Sequence, residues 1–279
     1  MVITLILAGI IFLYGGSIAA IYLFQKTIIF QPRRLRKDHE FVFENQFSEH
    51  FIPTFDHQSL NALHFKSPES PKGLVVYFHG NAANLNRWGR YSIDFTRKQF
   101  DVLMIDYRGF GKSTGTPTEQ GLFEDAECTL KWARANLDTK YEKLIFYGRS
   151  LGAAIATELA TKYSPDLLIL ETPFDSIRGA FRKALFPLVF PLSFKFKLEN
   201  NRLLPEVKCK VVIITGTRDK ITPLSSARRL IPFLKENDKF IIIPKGGHRN
   251  LRKFGLFHLK LAEALNDQLH PLKKLSKEI

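Results

Sequence analysis

The feature that most restricts the fold is the sequence Gly-Arg-Ser-Leu-Gly at positions 148–152. An apolar run, Lys143–Tyr147, precedes it, and a run rich in small residues, Gly152–Ala160, follows it. This order predicts a buried strand, a very tight turn and a helix, with Ser150 at the tip of the turn. Such a turn strains the serine backbone, and it needs the glycines because larger residues would collide with the neighbouring strand or helix. The hydroxyl of Ser150 is therefore predicted to stand clear of the sheet as a nucleophile.

Strand and helix patterns alternate along most of the chain. Residues 41–66 predict two short strands of an antiparallel edge. Further strands are predicted at Gly73–Phe78, Phe100–Asp106, Lys143–Tyr147, Leu167–Leu170, Lys210–Thr215 and Phe240–Ile243. Helices are predicted at Leu85–Lys98, Thr118–Leu137, Leu151–Lys162, Ser225–Leu234 and Phe254–Leu269. Strands separated by helices predict an α/β fold with a mostly parallel sheet and helices on both faces.

Two further residues follow predicted strands in an order that suits acyl transfer. Asp219 comes after the strand that ends at Thr215, and His248 comes after the last strand. Open α/β sheets build their sites at the carboxyl ends of the strands, so Ser150, Asp219 and His248 are predicted to meet there. The histidine would take the serine proton and pass it to the leaving group, while the aspartate would hold the imidazole tautomer. Glu171 is the alternative acid, and it could instead pair with a basic side chain.

Backbone N–H groups near the serine predict an oxyanion hole. The N–H of Leu151 lies at the start of a predicted helix, where it can donate to a developing oxyanion. The turn after the third predicted strand reads His79-Gly80-Asn81-Ala82. Its glycine lets the backbone fold close to the site, so the N–H of Asn81 or Ala82 is predicted to point inward. We interpret His79 as a structural residue that holds this turn by hydrogen bonds.

Several other classes of site are excluded. Residues 109–113 end like a phosphate-binding loop, but Asp106 stands where that pattern requires a glycine. The net charge of +14 suits nucleic acid, anionic lipid or simple solubility. No RNA-binding motif or Cys/His metal spacing accompanies this charge, and two distant cysteines define no metal site. We therefore expect no nucleotide, metal or nucleic acid, and we rank anionic lipid first as the partner of the basic residues.

The N-terminus predicts a membrane anchor. Val2–Phe24 contains 23 residues without a charged side chain, and a helix of that length spans roughly 35 Å, enough to cross a bilayer. We expect a transmembrane anchor at residues 1–25 and a hydrolytic domain at residues 26–279. A cleaved signal peptide is an alternative that small residues such as Ala19 favour, but no basic region precedes the apolar run, which is also long for such a peptide. A buried core helix is a third interpretation.

Basic residues cluster on one side of this anchor. Five of them follow it within a short stretch: Lys26, Arg33, Arg34, Arg36 and Lys37. The positive-inside rule then predicts that the bulk of the chain lies in the cytoplasm. The alternative is that these residues serve the folded domain by pairing with carboxylates such as Asp38 and Glu40.

Five segments together resemble the α/β-hydrolase superfamily: Tyr77–Ala82, Asp106–Ser113, Tyr147–Gly152, Gly216–Asp219 and Gly247–His248. More narrowly, the chain is similar to membrane-anchored α/β-hydrolase-domain serine hydrolases related to serine aminopeptidases. The resemblance implies the triad of Ser150, Asp219 and His248, no cofactor, and hydrolysis of an ester, thioester or amide. It implies no particular substrate, because such relatives include depalmitoylating thioesterases, lipases, esterases and peptidases.

The segment 175–202 departs from the strand–helix alternation and predicts a small cap insertion. Pro187 and Pro191 interrupt any long helix in it. It carries five phenylalanines and six basic residues: Phe181, Phe186, Phe190, Phe194, Phe196, Arg178, Arg182, Lys183, Lys195, Lys197 and Arg202. One interpretation is a cap whose phenylalanines pack on the domain. The other is a lid pressed against an anionic leaflet, with phenylalanines among acyl chains and basic residues on headgroups.

These patterns together predict a membrane-anchored serine hydrolase that cleaves an ester or thioester, with lipid-like or acylated substrates favoured. Two alternatives stay open. One is a peptidase or amidase of the same fold, and the other is a membrane-bound binding module without catalytic activity.

Overall fold

Eight strands form the central sheet in the part of the chain that the structure describes. The computed structural model describes residues 1–137, 141–181 and 193–266. The strands of the sheet are β1 Phe47–Pro53, β2 Ser59–Phe65, β3 Gly73–Phe78, β4 Phe100–Ile105, β5 Lys143–Arg149, β6 Leu167–Glu171, β7 Lys210–Gly216 and β8 Lys239–Ile243. Their spatial order is β8-β7-β6-β5-β3-β4-β2-β1. All pairs are parallel except β1 with β2 and β2 with β4, which confirms the mostly parallel sheet with an antiparallel edge.

The central strands are buried on both faces of the sheet. Alternate residues of β3 enter different hydrophobic clusters, Leu74 and Val76 on one face and Val75 and Tyr77 on the other. This double burial explains why the strands read as continuous apolar runs rather than as an alternation of apolar and polar residues. It also explains why they were predicted close to their observed bounds.

Four longer helices and several short ones surround or precede the sheet. The longer helices are α1 Val2–Ile29, α2 Glu119–Asn136, α3 Leu151–Lys162 and α4 Gly255–Leu265. The short helices are Leu85–Trp88, Ile93–Thr96, Ile177–Phe181, Asn200–Leu203 and Leu224–Arg228. Helix α3 matches its predicted bounds. Helix α4 ends at Leu265, inside the range predicted for it, and the last residues of that range lie outside the described residues.

Two predicted helices are wrong in length. The predicted helix at 85–98 is interrupted by a 3₁₀ turn, Gly89–Tyr91. Gly89 lowers helix propensity, and a Cβ there would lie 2.4 Å from the Phe43 ring. The predicted helix at 225–234 ends at Arg228, and a 3₁₀ turn with Pro232 near its start follows. Proline cannot continue an α-helix, which accounts for the early end.

The last turn of α1 packs with the domain that holds the sheet. The helix is long and apolar enough to cross a membrane, and it continues past the predicted boundary at residue 25 to Ile29. Its first residues are exposed, whereas Gln25, Ile29 and Phe30 are buried, each exposed by 4% or less. The chain then pairs Gln31–Pro32 in parallel with Ala82–Ala83, beside the predicted oxyanion turn. The domain therefore begins inside the helix and not after it.

The described part of the cap packs on the core. Phe196 is buried, with its ring centroid 4.8 Å from that of Phe30, and Phe181 and Phe194 pack half-buried against the same hydrophobic cluster. Lys195 and Lys197 are exposed. Six residues named in the prediction of the cap lie outside the described residues: Arg182, Lys183, Phe186, Pro187, Phe190 and Pro191.

Candidate active site

Ser150 occupies a strained turn between β5 and α3. Its φ of 53° and ψ of −113° are unfavourable for a residue with a side chain. The flanking glycines are required, because a Cβ on Gly148 would lie 2.4 Å from the carbonyl oxygen of Gly152, and one on Gly152 would lie 2.1 Å from that of Phe78. The Ser150 N–H donates to the carbonyl of Glu171 at 2.9 Å, which ties the turn to the neighbouring strand. The structure thus places this serine as the sequence predicted.

The structure brings Asp219 and His248 together. Asp219 Oδ2 lies 2.8 Å from His248 Nδ1, and the aspartate is buried. Asp219 Oδ1 accepts from the N–H groups of Ile221 and Thr222 at 2.9 Å and 2.8 Å. A carboxylate only accepts, so this contact favours a proton on Nδ1 and leaves Nε2 free to take a proton from another group. The pair has the geometry of a general base and its orienting acid.

Thr222 is a residue of this site that sequence reasoning missed. Its hydroxyl lies 3.0 Å from both Asp219 Oδ2 and His248 Nδ1, and 3.1 Å from the carbonyl of Thr172. Thr222 therefore helps to hold the carboxylate and the imidazole in contact with each other. The sequence hinted at this role only through its position: Thr222 stands three residues after Asp219, where a side chain can contact the aspartate across a turn.

Ser150 is shared by two pockets that contain its predicted partners. With His248 it lines a small pocket of about 40 Å³. With Asp219 it lines a cavity of about 610 Å³. Among the hydrogen bonds of the described residues, His248 is bonded through its carbonyl and Nδ1, and none joins its ring to the serine hydroxyl. Such bonds are often long in ligand-free sites and tighten when substrate binds.

The predicted oxyanion-hole residues surround the same serine. Leu151 is the first residue of α3, where an N–H has no partner within the helix. Leu151 and Asn81 line the large cavity with Ser150, and Ala82 lines the small pocket. The Asn81 side-chain amide donates to the carbonyl of Ile29 at 2.8 Å, so this turn is bonded directly to the last turn of α1.

His79 has structural contacts, in agreement with its interpretation from the sequence. Its Nδ1 lies 2.6 Å from the carbonyl oxygen of Gly80, and its ring stacks on Trp88 at a centroid distance of 5.6 Å. Its Nε2 lies 3.4 Å from Asp106 Oδ1, and burial raises the pKa of that carboxyl. The side chain is fully buried, so it supports the oxyanion turn from beneath.

The glycine-rich turn at 109–113 is organised around Asp106 and not around a phosphate. Gly111 has a φ of +47°, and a Cβ on it would lie 1.9 Å from Asp106 Oδ2. The N–H of Leu85 donates to the same carboxylate at 3.0 Å. The aspartate that excluded a nucleotide-binding motif is therefore the residue that holds this turn.

Glu171 serves an ion-pair network and not the histidine. It is fully buried, accepts from the Tyr147 hydroxyl, and lies 3.3 Å from Arg149 Nε and 3.0 Å from Arg252 Nη1. Burial alone would raise the pKa of Glu171, but the charges of the two arginines outweigh it and lower that pKa. Arg252 also pairs with Asp94. The structure thus agrees with the pairing alternative and leaves Asp219 as the acid beside the histidine.

Arg149 links this network to the candidate base. Its Nη2 donates to the carbonyl of His248 at 2.8 Å. Its guanidinium also lies 5.0 Å from the Trp88 ring centroid and 5.3 Å from that of Tyr91. Sequence reasoning missed this role, although the residue stands directly before Ser150.

The large cavity is mostly apolar, and the serine is part of its lining. Its walls come from the last turn of α1, the short helix Ile177–Phe181 of the cap and the loop after β7. The apolar residues that line it together with Ser150 and Asp219 include Ile29, Leu151, Phe174, Ile177, Phe181 and Ile221. A cavity of this size and lining suits an apolar ligand with one polar reacting group.

Comparisons with known proteins agree with this description. The family model described as serine aminopeptidase, S33, matches residues 69–202. The Saccharomyces cerevisiae protein YNL320W, described as an uncharacterized membrane protein, is 30% identical over 261 residues, covering 88% of this chain and 89% of the yeast protein. Protein R595 of Acanthamoeba polyphaga mimivirus, also uncharacterized, is 32% identical over 240 residues, covering 78% of this chain and 80% of the viral one.

Solved structures share the fold. The esterase Pf2001 of Pyrococcus furiosus aligns with a TM-score of 0.68 at 18% identity, covering 85% of this chain and 98% of the esterase. XC6422 of Xanthomonas campestris, described as an α/β serine hydrolase without a lid, aligns with a TM-score of 0.60 at 16% identity, covering 83% of this chain and 98% of that one. The chain therefore belongs to the α/β hydrolases, and its residues 69–202 match the serine aminopeptidase, S33, family model.

Proposed function

We propose that this protein is a membrane-anchored serine hydrolase that cleaves acyl esters or thioesters through an acyl-enzyme on Ser150. The observation that carries the proposal is the strained serine that lines a large apolar cavity with Asp219 and a small pocket with His248, while the aspartate and the histidine contact each other. A binding module without activity has no need of a serine held at an unfavourable φ beside an oriented histidine.

The reaction proceeds in two steps. His248 Nε2 takes the Ser150 proton while Oγ attacks the acyl carbon, and the carbonyl oxygen becomes an oxyanion near the N–H groups of Leu151 and Asn81 or Ala82. The bond to the alcohol or thiol then breaks, and the leaving group takes the proton from His248. Water next attacks the acyl-enzyme with His248 again as base, which releases the acid and restores the serine.

The cavity favours substrates with an apolar acyl chain. Its volume of about 610 Å³ accommodates an extended chain, and residues such as Ile29 and Phe181 replace water around it. Burying each CH₂ contributes about 0.8 kcal/mol, or roughly fourfold in kcat/KM, until the cavity is full. We therefore favour esters and thioesters of medium or long acyl chains over peptides.

The position of α1 supports delivery of the acyl chain from a membrane. Ile29 belongs both to the apolar helix and to the cavity wall, so a helix that crosses a bilayer would hold the cavity close to its surface. The basic residues after the helix favour a cytoplasmic domain. Some of them also serve the domain, since Arg34 donates to the carbonyls of Ser113 and Gly115 and Arg36 pairs with Asp38.

The proposal is tested by hydrolysis of p-nitrophenyl esters of increasing chain length. Ser150→Ala should abolish turnover, while Ser225→Ala, on an exposed helix outside the site, should not change it. Turnover that survives in Ser150→Ala would rule out the assigned nucleophile. Turnover of aminoacyl anilides but not of esters would favour a peptidase, and turnover of neither would favour a binding module.

The orientation has a separate test. Protease added to intact cells or right-side-out vesicles should leave the domain uncut until the membrane is permeabilised. Digestion without permeabilisation would show that the domain lies on the opposite side of the membrane, and it would leave the catalytic assignment unaffected.

A further inference from the structure

Ser150 separates two pockets of opposite chemistry. Besides the apolar cavity, Ser150 lines the small pocket of about 40 Å³, which three arginines line together with Ser150 and His248: Arg87, Arg149 and Arg249. We propose that this arginine pocket binds an anionic leaving group, a phosphate carried by the alcohol of the substrate. The inference rests on the proposed function, because it assigns the part of the substrate that departs when Ser150 is acylated.

The arginine pocket has positive charge that no carboxylate balances. Arg87 and Arg249 are exposed, and neither forms an ion pair with a described carboxylate. Deeper in the domain, Arg149 and Arg252 face Glu171 and Asp94, so those four charges cancel. The outer two arginines therefore leave the mouth of the pocket cationic, beside the bond that would break.

One arginine that lines the same pocket has a buried donor without a partner. The Arg149 side chain is exposed by only 3%, and its Nη1 has no hydrogen-bond partner among the described residues. An unpaired buried N–H is costly, so an acceptor oxygen from a ligand is strongly favoured there. This donor points to a ligand independently of the surface charge.

Trp88 orients two of the three arginines. The Arg87 guanidinium lies 5.2 Å from the Trp88 ring centroid, and that of Arg149 lies 5.0 Å from it. Stacking on an aromatic ring restricts the planar guanidinium. It leaves the N–H fork of Arg87 available for an anion, whereas Arg149 offers its unpaired Nη1, since its Nη2 is bonded to the carbonyl of His248. Arginine forks match phosphate oxygens in bidentate geometry, and a phosphate monoester carries nearly two negative charges. A phosphate therefore uses this set of donors more fully than a single carboxylate does.

The two pockets together define a substrate class. The acyl chain occupies the cavity beside Ile29, the carbonyl lies at Ser150, and the phosphate of the leaving group lies between Arg87 and Arg249. Acyl esters of glycerol phosphate fit this class, because their phosphate lies only a few bonds from the ester oxygen. In an acyl coenzyme A the pantetheine arm separates the phosphates from the thioester, so they cannot reach a pocket that Ser150 itself lines. On hydrolysis, water supplies the hydroxyl of the released acid, and the phosphate-bearing alcohol leaves with a proton from His248.

The test compares three substrates with the same medium-length acyl chain: the monoacylglycerol, the acylglycerol phosphate and the acyl coenzyme A. We expect the wild-type protein to prefer the acylglycerol phosphate over the monoacylglycerol by about tenfold or more in kcat/KM. Arg249→Gln and Arg87→Gln should each lower this ratio severalfold. The matched control is Arg90→Gln, which removes the same charge from an exposed arginine outside both pockets and should leave the ratio unchanged.

The outcomes separate the inference from the proposed function. A preference for the acylglycerol phosphate that both arginine variants reduce supports the inference. A preference for the acyl coenzyme A alone would overturn it, because the phosphates of coenzyme A lie too far from the thioester to enter a pocket beside Ser150. Equal kcat/KM for charged and uncharged substrates, or equal effects of Arg249→Gln and Arg90→Gln, would overturn the arginine pocket while esterase activity stands. Absence of turnover of all three substrates and of the p-nitrophenyl esters would instead contradict the proposed function.

Discussion

The two sides of Ser150 are built in different ways. On the cavity side, apolar contacts from α1 and the cap form the walls, and polar support comes from single residues such as Gln25, whose side chain bonds to the backbone of Ser193 and Lys195. On the arginine side, the network of Glu171 with Arg149 and Arg252 is buried and multiply paired. We infer that the cavity side determines which acyl chains bind, whereas the arginine side holds the histidine and is the stiffer of the two.

The largest effect should come from the residue that both sides share. His248→Asn should lower kcat by about 10⁴ for every acyl chain and leaving group, because the base acts in both steps. Steady-state hydrolysis of short and long esters measures this loss. His57→Asn, in an exposed turn at a φ of 60° that asparagine tolerates, is the control and should retain activity. A loss below about tenfold in His248→Asn would exclude this histidine as the base.

The arginine side should respond to loss of its central carboxylate by loss of stability. Glu171→Gln leaves two buried arginines without their shared partner, and we expect a cost of about 3–5 kcal/mol in the free energy of unfolding. For a domain of this size, that cost corresponds to a fall in Tm of roughly 10 °C. The control is Glu199→Gln, which removes a surface pair with Arg202 and should cost less than about 1 kcal/mol.

The same carboxylate predicts a pH dependence of stability. The folded pKa of Glu171 lies below its usual value of 4.5, so the folded state binds this proton less readily than the unfolded state. Its stabilising contribution is present above pH 4.5 and is lost as the pH falls towards the folded pKa. The difference in Tm between wild type and Glu171→Gln should therefore shrink in acid. A constant difference between pH 7 and the acid range would contradict the ion-pair network.

The cavity side should respond to a change in its wall by a change in chain-length preference. Ile29→Ala should lower the ratio of long-chain to short-chain kcat/KM by roughly fivefold, since contacts with several CH₂ groups are lost. Ile29→Trp fills the same space and should shorten the longest chain accepted. Ile28→Ala, next to it and 40% exposed, should leave the ratio unchanged. An unchanged ratio in both Ile29 variants would show that α1 does not contact the bound acyl chain.

The smallest effect should come from the hydrogen bonds by which Gln25 of α1 holds the cap. Gln25→Leu leaves the Ser193 carbonyl and the Lys195 N–H without a partner, at a cost of about 1–3 kcal/mol. We expect KM for long-chain esters to rise a few-fold and trypsin to cut more rapidly after Lys195 or Lys197. Thr27→Leu, on the exposed face of the same helix, is the control. Unchanged KM and unchanged cleavage would show that this link does not hold the cap.

Local patterns predicted the parts of the fold that depend on neighbours in the chain. The turn at Ser150 needs only a strand, two glycines and a helix, and all of these are adjacent in sequence. The order of Asp219 and His248 after their strands was equally readable, because the carboxyl ends of parallel strands share one edge of the sheet. Their meeting at 2.8 Å in the structure follows from that topology.

Contacts between distant residues were not readable from these patterns. Glu171 meets Arg252 at a separation of 81 residues, and Gln25 meets Lys195 at a separation of 170. No local period predicts such pairs, because each depends on how the whole sheet and its cap are assembled. The apolar run of α1 indicated a membrane helix, but only the fold shows that Ile29 also lines the cavity.

Labelling with alkyl fluorophosphonates tests the central assignment most directly. Mass spectrometry of the wild-type protein should find one phosphonyl adduct on Ser150, formed faster with a long alkyl chain than with a methyl group because the chain enters the apolar cavity. Ser225→Ala should label at the wild-type rate, His248→Asn far more slowly and Ser150→Ala not at all. An adduct that persists in Ser150→Ala, or ester hydrolysis by a protein that the probes do not label, would contradict the assignment of Ser150 as the nucleophile.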